Sequence, residues 1–314
     1  MSLRYDAVLL IAFGGPTGAA DIRPFLERVL RGVPVLPERV EEVVHHYEVV
    51  GGKSPLNEIT FRQADALQSV FKKNSVPLRV YVGMRNASPY FAETLRRMAD
   101  EGIKRALGFI LSAHQSEASW ERYMNNVATA RVELGDEAPE IDYCPGWHDH
   151  PLFIRTWTDS IEESLASLAP DRRKTTPLIF TAHSLPAAMA GRSPYVRQVR
   201  ETATMVANAL GHENWSISYQ SRSGKPADPW LEPDVNDIVR NLAGKGISEV
   251  IVAPIGFVCD HVEVLYDLDI EAKKTAEDLG VRLIRSRCPN DSALFIEMMA
   301  DVIRTKMTQV EDRI

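Results

Sequence analysis

A chain of 314 residues with 45% hydrophobic and 25% charged residues has the make-up of a folded globular protein, long enough for two ordinary domains. Its net charge of −7 gives no global attraction to nucleic acid or to an anionic membrane. No apolar run reaches the ~20 residues of a membrane span, and the N-terminus lacks a secretion signal, so a cytoplasmic enzyme without membrane association is expected. In chain order, a β-branched apolar run predicts a strand over 7–13. Amphipathic patterns predict helices over 21–30, 37–50 and 60–72, then a strand over 78–83 and a helix over 88–101. Strands at 106–112 and 140–144 bracket a helix over 116–134. The second half reads as helix 151–168, strand 177–182, helix 195–210, strand 216–220 and helix 234–245. It closes with strand 249–254, helix 262–279, strand 282–285 and helix 293–308.

Continuous apolar strands without polar alternation belong in sheets covered on both faces, and strand–helix alternation makes those sheets parallel. The expectation is an α/β protein of two domains, 1–150 and 151–314, each a four-stranded parallel sheet flanked by helices. An active-site cleft is expected where they face each other, and the last helix is expected to pack back on the first domain. Two strand ends carry a short likeness, Leu111-Ser112-Ala113-His114 and Phe180-Thr181-Ala182-His183. Three widely spaced cysteines, Cys144, Cys259 and Cys288, form neither a disulfide framework nor a metal knuckle and are expected as reduced thiols.

Ligands of open α/β sheets bind beyond the carboxyl ends of strands, so strand ends are where chemistry is sought. Phe13-Gly14-Gly15-Pro16 is a glycine turn without dinucleotide spacing; it suits close approach of backbone to a flat ligand or simply a tight turn. His183 ends a strand as a structural or a catalytic histidine. Its neighbour Ser184 points to the opposite face and there is no nucleophile elbow, so hydrolase chemistry is disfavoured. From Pro254 the chain passes a strand end and enters a helix. There Glu263, Asp267 and Glu271 recur at i, i+4 and i+8, along one face. Such a row is either a solvated acidic face or a path for a divalent cation or protons, and Asp260 and His261 stand ready to orient it.

These segments resemble the ferrochelatase family over nearly the whole chain. The matching stretches are 9–16, 47–56 (YEVVGGKSPL), Gly83-Met84-Arg85, 181–186, 219–233 (YQSRSGKPADPWLEP) and 254–271. The last follows the family pattern GF-x-x-DH-x-E-x-LYD-x-D-x-E. The resemblance implies two Rossmann-like domains, a porphyrin cleft and ferrous iron as co-substrate. It makes His183 and Glu263 the catalytic pair, opposed across the macrocycle, with a neutral imidazole able to accept a proton or bind metal. It makes Asp267 and Glu271 the outer part of a metal or proton path. Which of the pair takes protons and which first binds iron stays open.

No permanently bound cofactor is expected. A [2Fe–2S] cluster needs four cysteine ligands, and the chain, ending at Ile314, has three. The stretches 31–47, 51–56 and Trp147-His148-Asp149 look most like soluble, monomeric enzymes that metallate coproporphyrin III. Its four propionates call for cations and hydroxyl donors, and Arg31, Tyr47, Ser54 and Tyr123 match propionate-contacting positions. Two positions depart. Phe13 replaces a tyrosine able to ligate iron, and His46 replaces an arginine with a weaker, pH-dependent cation. The alternatives are a protoporphyrin IX ferrochelatase, a non-catalytic haem- or porphyrin-binding protein, and a chelatase for a cobalt or sirohaem precursor.

Overall fold

The computed structural model describes residues 5–32, 35–223 and 228–311. Residues 33–34, inside the stretch 31–47, and 224–227, inside 219–233, lie outside the described residues. All eight expected strands are present, with ends within two residues of the sequence reading. They form two four-stranded, all-parallel sheets.

The described residues of 1–112, 117–147 and 291–314 make one compact unit. Its strands are β1 (Ala7–Ala12), β2 (Arg79–Met84), β3 (Arg105–Ile110) and β4 (Glu140–Tyr143), in the order β2-β1-β3-β4. Every residue of β1 is buried, because helices cover both faces of the sheet. These helices are α1 (Ala19–Val29), α2 (Pro37–Val49), α3 (Leu56–Lys73), α4 (Phe91–Asp100) and α5 (Arg122–Leu134). Phe91, Leu95 and Met98 of α4 and Tyr123, Val127 and Ala130 of α5 close one face over Leu9 and Ile11.

The second unit comprises 113–116 and 148–290. Its strands are β5 (Leu178–His183), β6 (Trp215–Gln220), β7 (Glu249–Ala253) and β8 (Arg282–Arg285), in the order β6-β5-β7-β8. Its helices are α6 (Pro151–Ala166), a short α7 (Ala187–Ala190) that hydrophobic periodicity misses, α8 (Tyr195–Leu210), α9 (Val235–Gly244), α10 (Val262–Leu265) and α11 (Lys273–Asp278). The last helix, α12 (Ala293–Glu311), belongs to the first unit and packs on α3.

Both units therefore use one strand order, which revises the likeness between the two histidine segments. His183 ends the first strand of its sheet, whereas His114 follows the third strand of the other, so the two positions are not equivalent. By topology the counterpart of His183 is the Phe13 turn after β1. His114 is instead a buried histidine of the second unit, its Nε2 3.0 Å from Thr202 Oγ1. Burial, then the neighbouring His148, pushes it down to about 3, so it is neutral.

The expected helix over 262–279 is interrupted. Between α10 and α11 lies a π-helical turn, Asp267–Ala272, where the Glu271 amide reaches back five residues to the Tyr266 carbonyl at 2.9 Å. A second π turn, Glu117–Glu121, leads into α5. Residues spaced by four drift ~40° around an α-helix per step, and a wider turn counters that drift. Local winding therefore alters the row of carboxylates that even i, i+4 spacing predicts. Among the described residues no helix is long and apolar enough to cross a membrane.

Candidate active site

In the second sheet β5 and β7 are neighbours at the point where successive connections change direction, the place where open α/β sheets form ligand crevices. One glycine allows the two strand ends to meet. A Cβ on Gly256, just after β7, would lie 2.6 Å from the Cα of Ala182 in β5. Without that atom the Gly256 amide donates to the Thr181 carbonyl at 3.0 Å, and the chain from Pro254 lies against the end of β5.

His183 is the last residue of β5. The Tyr195 hydroxyl donates to its backbone carbonyl at 2.9 Å, while its ring Nδ1 bonds to the Ser184 carbonyl. A carbonyl only accepts, so Nδ1 carries a proton and Nε2 is the nitrogen turned to Glu263. Nε2 lies 3.4 Å from Glu263 Oε1. Ser184 is buried and its hydroxyl donates to the Leu231 carbonyl at 2.9 Å, which removes it as a nucleophile.

Glu263 stands in the first turn of α10, whose N-cap is His261; the Glu263 amide donates to His261 Nδ1 at 3.3 Å. His261 is held below the usual histidine range, by burial first, against the opposing pull of Glu263. Gln220, at the end of β6, ties the two elements together. Its Nε2 donates to the Glu263 carbonyl at 2.6 Å and its Oε1 accepts from Thr181 Oγ1 at 2.7 Å, while its own carbonyl accepts from the Ser184 amide at 2.7 Å. Sequence reasoning passed over Gln220; the signal was a polar residue at a strand end inside a matched motif.

The contact changes the expected chemistry of His183. Burial alone would lower its pKa, but the Glu263 carboxylate, the Ser184 carbonyl and Asp267 outweigh burial and lift it to about 9. The contact favours the imidazolium of His183 beside the Glu263 carboxylate over the neutral imidazole expected from sequence. Nor is the pair opposed across a gap. A flat ring between two groups needs about 7 Å, two van der Waals contacts, so the 3.4 Å contact must open before a macrocycle can lie between them.

Along the carboxylate row the buried member is Asp267, 8% exposed, with Glu271 exposed. Burial, opposed by a hydrogen bond from Ser221 and reinforced by Glu263 and Glu271, pushes Asp267 up to about 7. Ser221 reaches it from a left-handed backbone conformation, φ 63°, a strained setting for a non-glycine residue. Among the described residues no three His, Cys, Asp or Glu side chains gather closely enough to hold a metal ion. His183 and Glu263 come together; Asp267 follows them through electrostatics, and Glu271 sits outermost.

The remaining candidates lie in the first unit. Gly14 takes φ +79° where a Cβ would lie 2.9 Å from the Ala87 amide, so the turn after β1 requires glycine. Phe13 packs edge-to-face on Phe25 with ring centroids 6.2 Å apart, and Phe25 does the same to Tyr47 at 6.0 Å. Tyr47 is buried. Ser54 is buried against Gly15, where its hydroxyl accepts from the Leu56 amide at 3.3 Å. Tyr123 is buried in the core facing Leu9 and Ile11, whereas Arg31 is exposed beyond α1. His46 is driven down to about 4, by burial and then by Arg39, so it is neutral at pH 7 and not the weak cation expected.

A cation outside the predicted set stands here. Arg85 follows β2, its amide donating to the Ala12 carbonyl at 3.0 Å. Its guanidinium is pushed below its usual range by burial and by the neighbouring charge of Arg122, beside Tyr123. Among the described residues neither arginine has a carboxylate partner. Its cue was the matched Gly83-Met84-Arg85 stretch.

Two parallel sheets of this order with a titratable pair at the strand-end crevice define a chelatase-type α/β protein. The structure of the sirohydrochlorin chelatase SirB from Bacillus subtilis subspecies spizizenii in complex with cobalt matches with TM-score 0.60 at 9% identity, covering 98% of this chain and 97% of that one. CbiX, the terminal enzyme for siroheme biosynthesis in denitrifying bacteria, matches with TM-score 0.55 at 14% identity, covering 95% and 98%. At these identities the likeness concerns the fold. The ferrochelatase family profile matches residues 5–307. A ferrochelatase of Rhodopirellula baltica is 39% identical over 98% of this chain and 88% of its own. Coproporphyrin III ferrochelatases of Mycobacteroides abscessus and Mycobacterium ulcerans are 41% and 42% identical, over 95% and 96% of this chain and 88% and 87% of theirs. The chain belongs to the ferrochelatase family: it is a metal chelatase of haem synthesis that takes ferrous iron as substrate.

Proposed function

We propose that this enzyme inserts Fe²⁺ into coproporphyrin III, releasing the two pyrrole protons as iron-coproporphyrin III forms. One observation carries the assignment of the chemistry to His183 and Glu263: the 3.4 Å contact of their side chains at the β5/β7 crevice. The pair stores one proton on His183 against the Glu263 carboxylate. An arriving dication drives that proton off to solvent by way of Asp267, because a nearby positive charge disfavours the imidazolium, and so exposes the Nε2 lone pair. His183 can then take the two pyrrole protons in turn, passing each on to solvent, while Glu263, with Asp267 and Glu271 behind it, offers carboxylate oxygens to the metal. Asp267, poised at about 7, can hold or pass a proton at physiological pH.

Coproporphyrin III is favoured over protoporphyrin IX by the relatives named for it and by the cations of the first unit. A tetracarboxylate suits Arg31, Tyr47, Ser54 and Tyr123, with the unpartnered Arg85 and Arg122 as further guanidinium donors. Phe13 offers no donor atom to the product iron. With three cysteines the enzyme carries no [2Fe–2S] cluster, and it works as a cytoplasmic monomer. The test is a side-by-side assay of Fe²⁺ insertion into coproporphyrin III and protoporphyrin IX, with preference for the former expected. Preference for the dicarboxylate would overturn the substrate assignment. Porphyrin binding without insertion would favour a non-catalytic carrier.

A further inference from the structure

Arg285, the last residue of β8, takes no part in the contact between His183 and Glu263, yet it holds the segment that carries Glu263 on both sides. Its Nε and Nη2 form a fork on Asp269, at 2.6 Å to Oδ1 and 2.8 Å to Oδ2. Its Nη1 donates to Asp260 Oδ1 at 3.0 Å. Asp269 belongs to the π turn after α10, and Asp260 immediately precedes the His261 cap. The second Asp260 oxygen accepts from Asn290 Nδ2 at 2.7 Å, and the Asp260 amide donates to Asn290 Oδ1 at 2.8 Å. The arginine side chain is 15% exposed and Asp260 20%.

We propose that Arg285 is a positioning residue, a clamp that joins Asp260 and Asp269 across the Glu263 turn and thereby fixes the carboxylate that meets His183. Glu263 lies three residues after one anchor and six before the other, in a short helical turn running into a π turn. Its own bonds, such as Tyr266 N–H to the Val262 carbonyl at 2.7 Å and Glu271 N–H to the Tyr266 carbonyl at 2.9 Å, hold single turns, whereas the guanidinium joins the two ends of the segment. Only a planar guanidinium can grip one carboxylate with a fork and reach the second with its remaining edge; an ammonium keeps the charge and loses the geometry. The cluster has two carboxylates and one cation, so losing the cation leaves half-buried negative charges that repel and splay the turn.

The proposal rests on the assignment of His183 and Glu263 as the metal-inserting pair. It is tested on the full chain with Asp269→Asn, Arg285→Lys and, as a control two residues along β8's exit, Arg287→Gln. Arg287 pairs at the surface with Glu163, both well exposed. Asp269→Asn removes one arm of the fork while leaving Asp260 its partner, so it serves should Arg285→Lys fail to fold. Measured are kcat, the KM values for Fe²⁺ and for coproporphyrin III separately, and amide exchange over residues 262–272. In folded Asp269→Asn and Arg285→Lys, kcat should fall by about tenfold to a hundredfold, with the porphyrin KM unchanged and faster exchange over 262–272. Arg287→Gln should behave as wild type. A wild-type kcat in folded Asp269→Asn overturns the clamp, as does unaltered exchange over 262–272. A wild-type enzyme that inserts no iron overturns the functional assignment instead, and amide exchange then still decides the clamp.

Discussion

At the scale of single residues, the site's behaviour follows from one charge held against another. His183 is lifted to about 9 chiefly because Glu263 offsets the cost of burying the imidazolium. Glu263→Gln removes that compensation, so His183 should titrate well below 9 in the variant, as followed by histidine NMR. A His183 that still titrates near 9 would show that Glu263 is not its partner. The same shift sets a stability window. The folded pKa lies above the unfolded value of 6.5, so the pair's contribution is fully present below about 6.5 and is lost as pH rises through about 9. Thermal melts of wild type and Glu263→Gln should accordingly diverge near pH 6.5 and converge above pH 9. The family resemblance named His183 and Glu263 as a pair, but not their direct contact. His183 and Glu263 are eighty positions apart, and their contact depends on Gly256 and Gln220 bringing one loop to another strand.

At the scale of elements, sequence was most informative where burial dictates residue type. Strands such as β1, β5 and β7 are mostly apolar runs because both sheet faces are covered, and β5 ends on the polar His183. The π turns were invisible, since one extra residue barely disturbs hydrophobic periodicity while it redirects the carboxylates of 263–271. The same blindness hid α7, four residues long. Buried positions such as Tyr47, in the last turn of α2, and Ser54, just before α3, read equally well as ligand contacts or as packing, because a hydroxyl serves both. Gly256 gives an element-scale prediction. Gly256→Ala forces a Cβ against the backbone of β5 and should cost ~1–3 kcal/mol in denaturant unfolding, with loss of iron insertion. Gly244→Ala, at the exposed end of α9 with open space around it, should instead be neutral or stabilise by up to ~1 kcal/mol. Equal effects of the two would remove the argument that Gly256 admits a close approach.

At the scale of the whole molecule, two units share a strand order but divide the labour. The second carries the pair to which proton and metal handling is proposed; the first carries a glycine turn, an aromatic series and, among the described residues, two arginines without carboxylate partners. Arg85→Gln should raise the KM for coproporphyrin III about tenfold and leave that for protoporphyrin IX less affected, as expected for loss of a charge-assisted bond to a propionate. An equal change for both porphyrins would assign Arg85 to packing. The central claim is that the His183–Glu263 pair inserts iron, and the direct measurement is the anaerobic Soret shift of coproporphyrin III with Fe²⁺. Wild type should complete the shift catalytically, while His183→Ala and Glu263→Gln, folded by circular dichroism, should lose about a hundredfold or more in rate. Insertion at the wild-type rate by either variant would contradict the account.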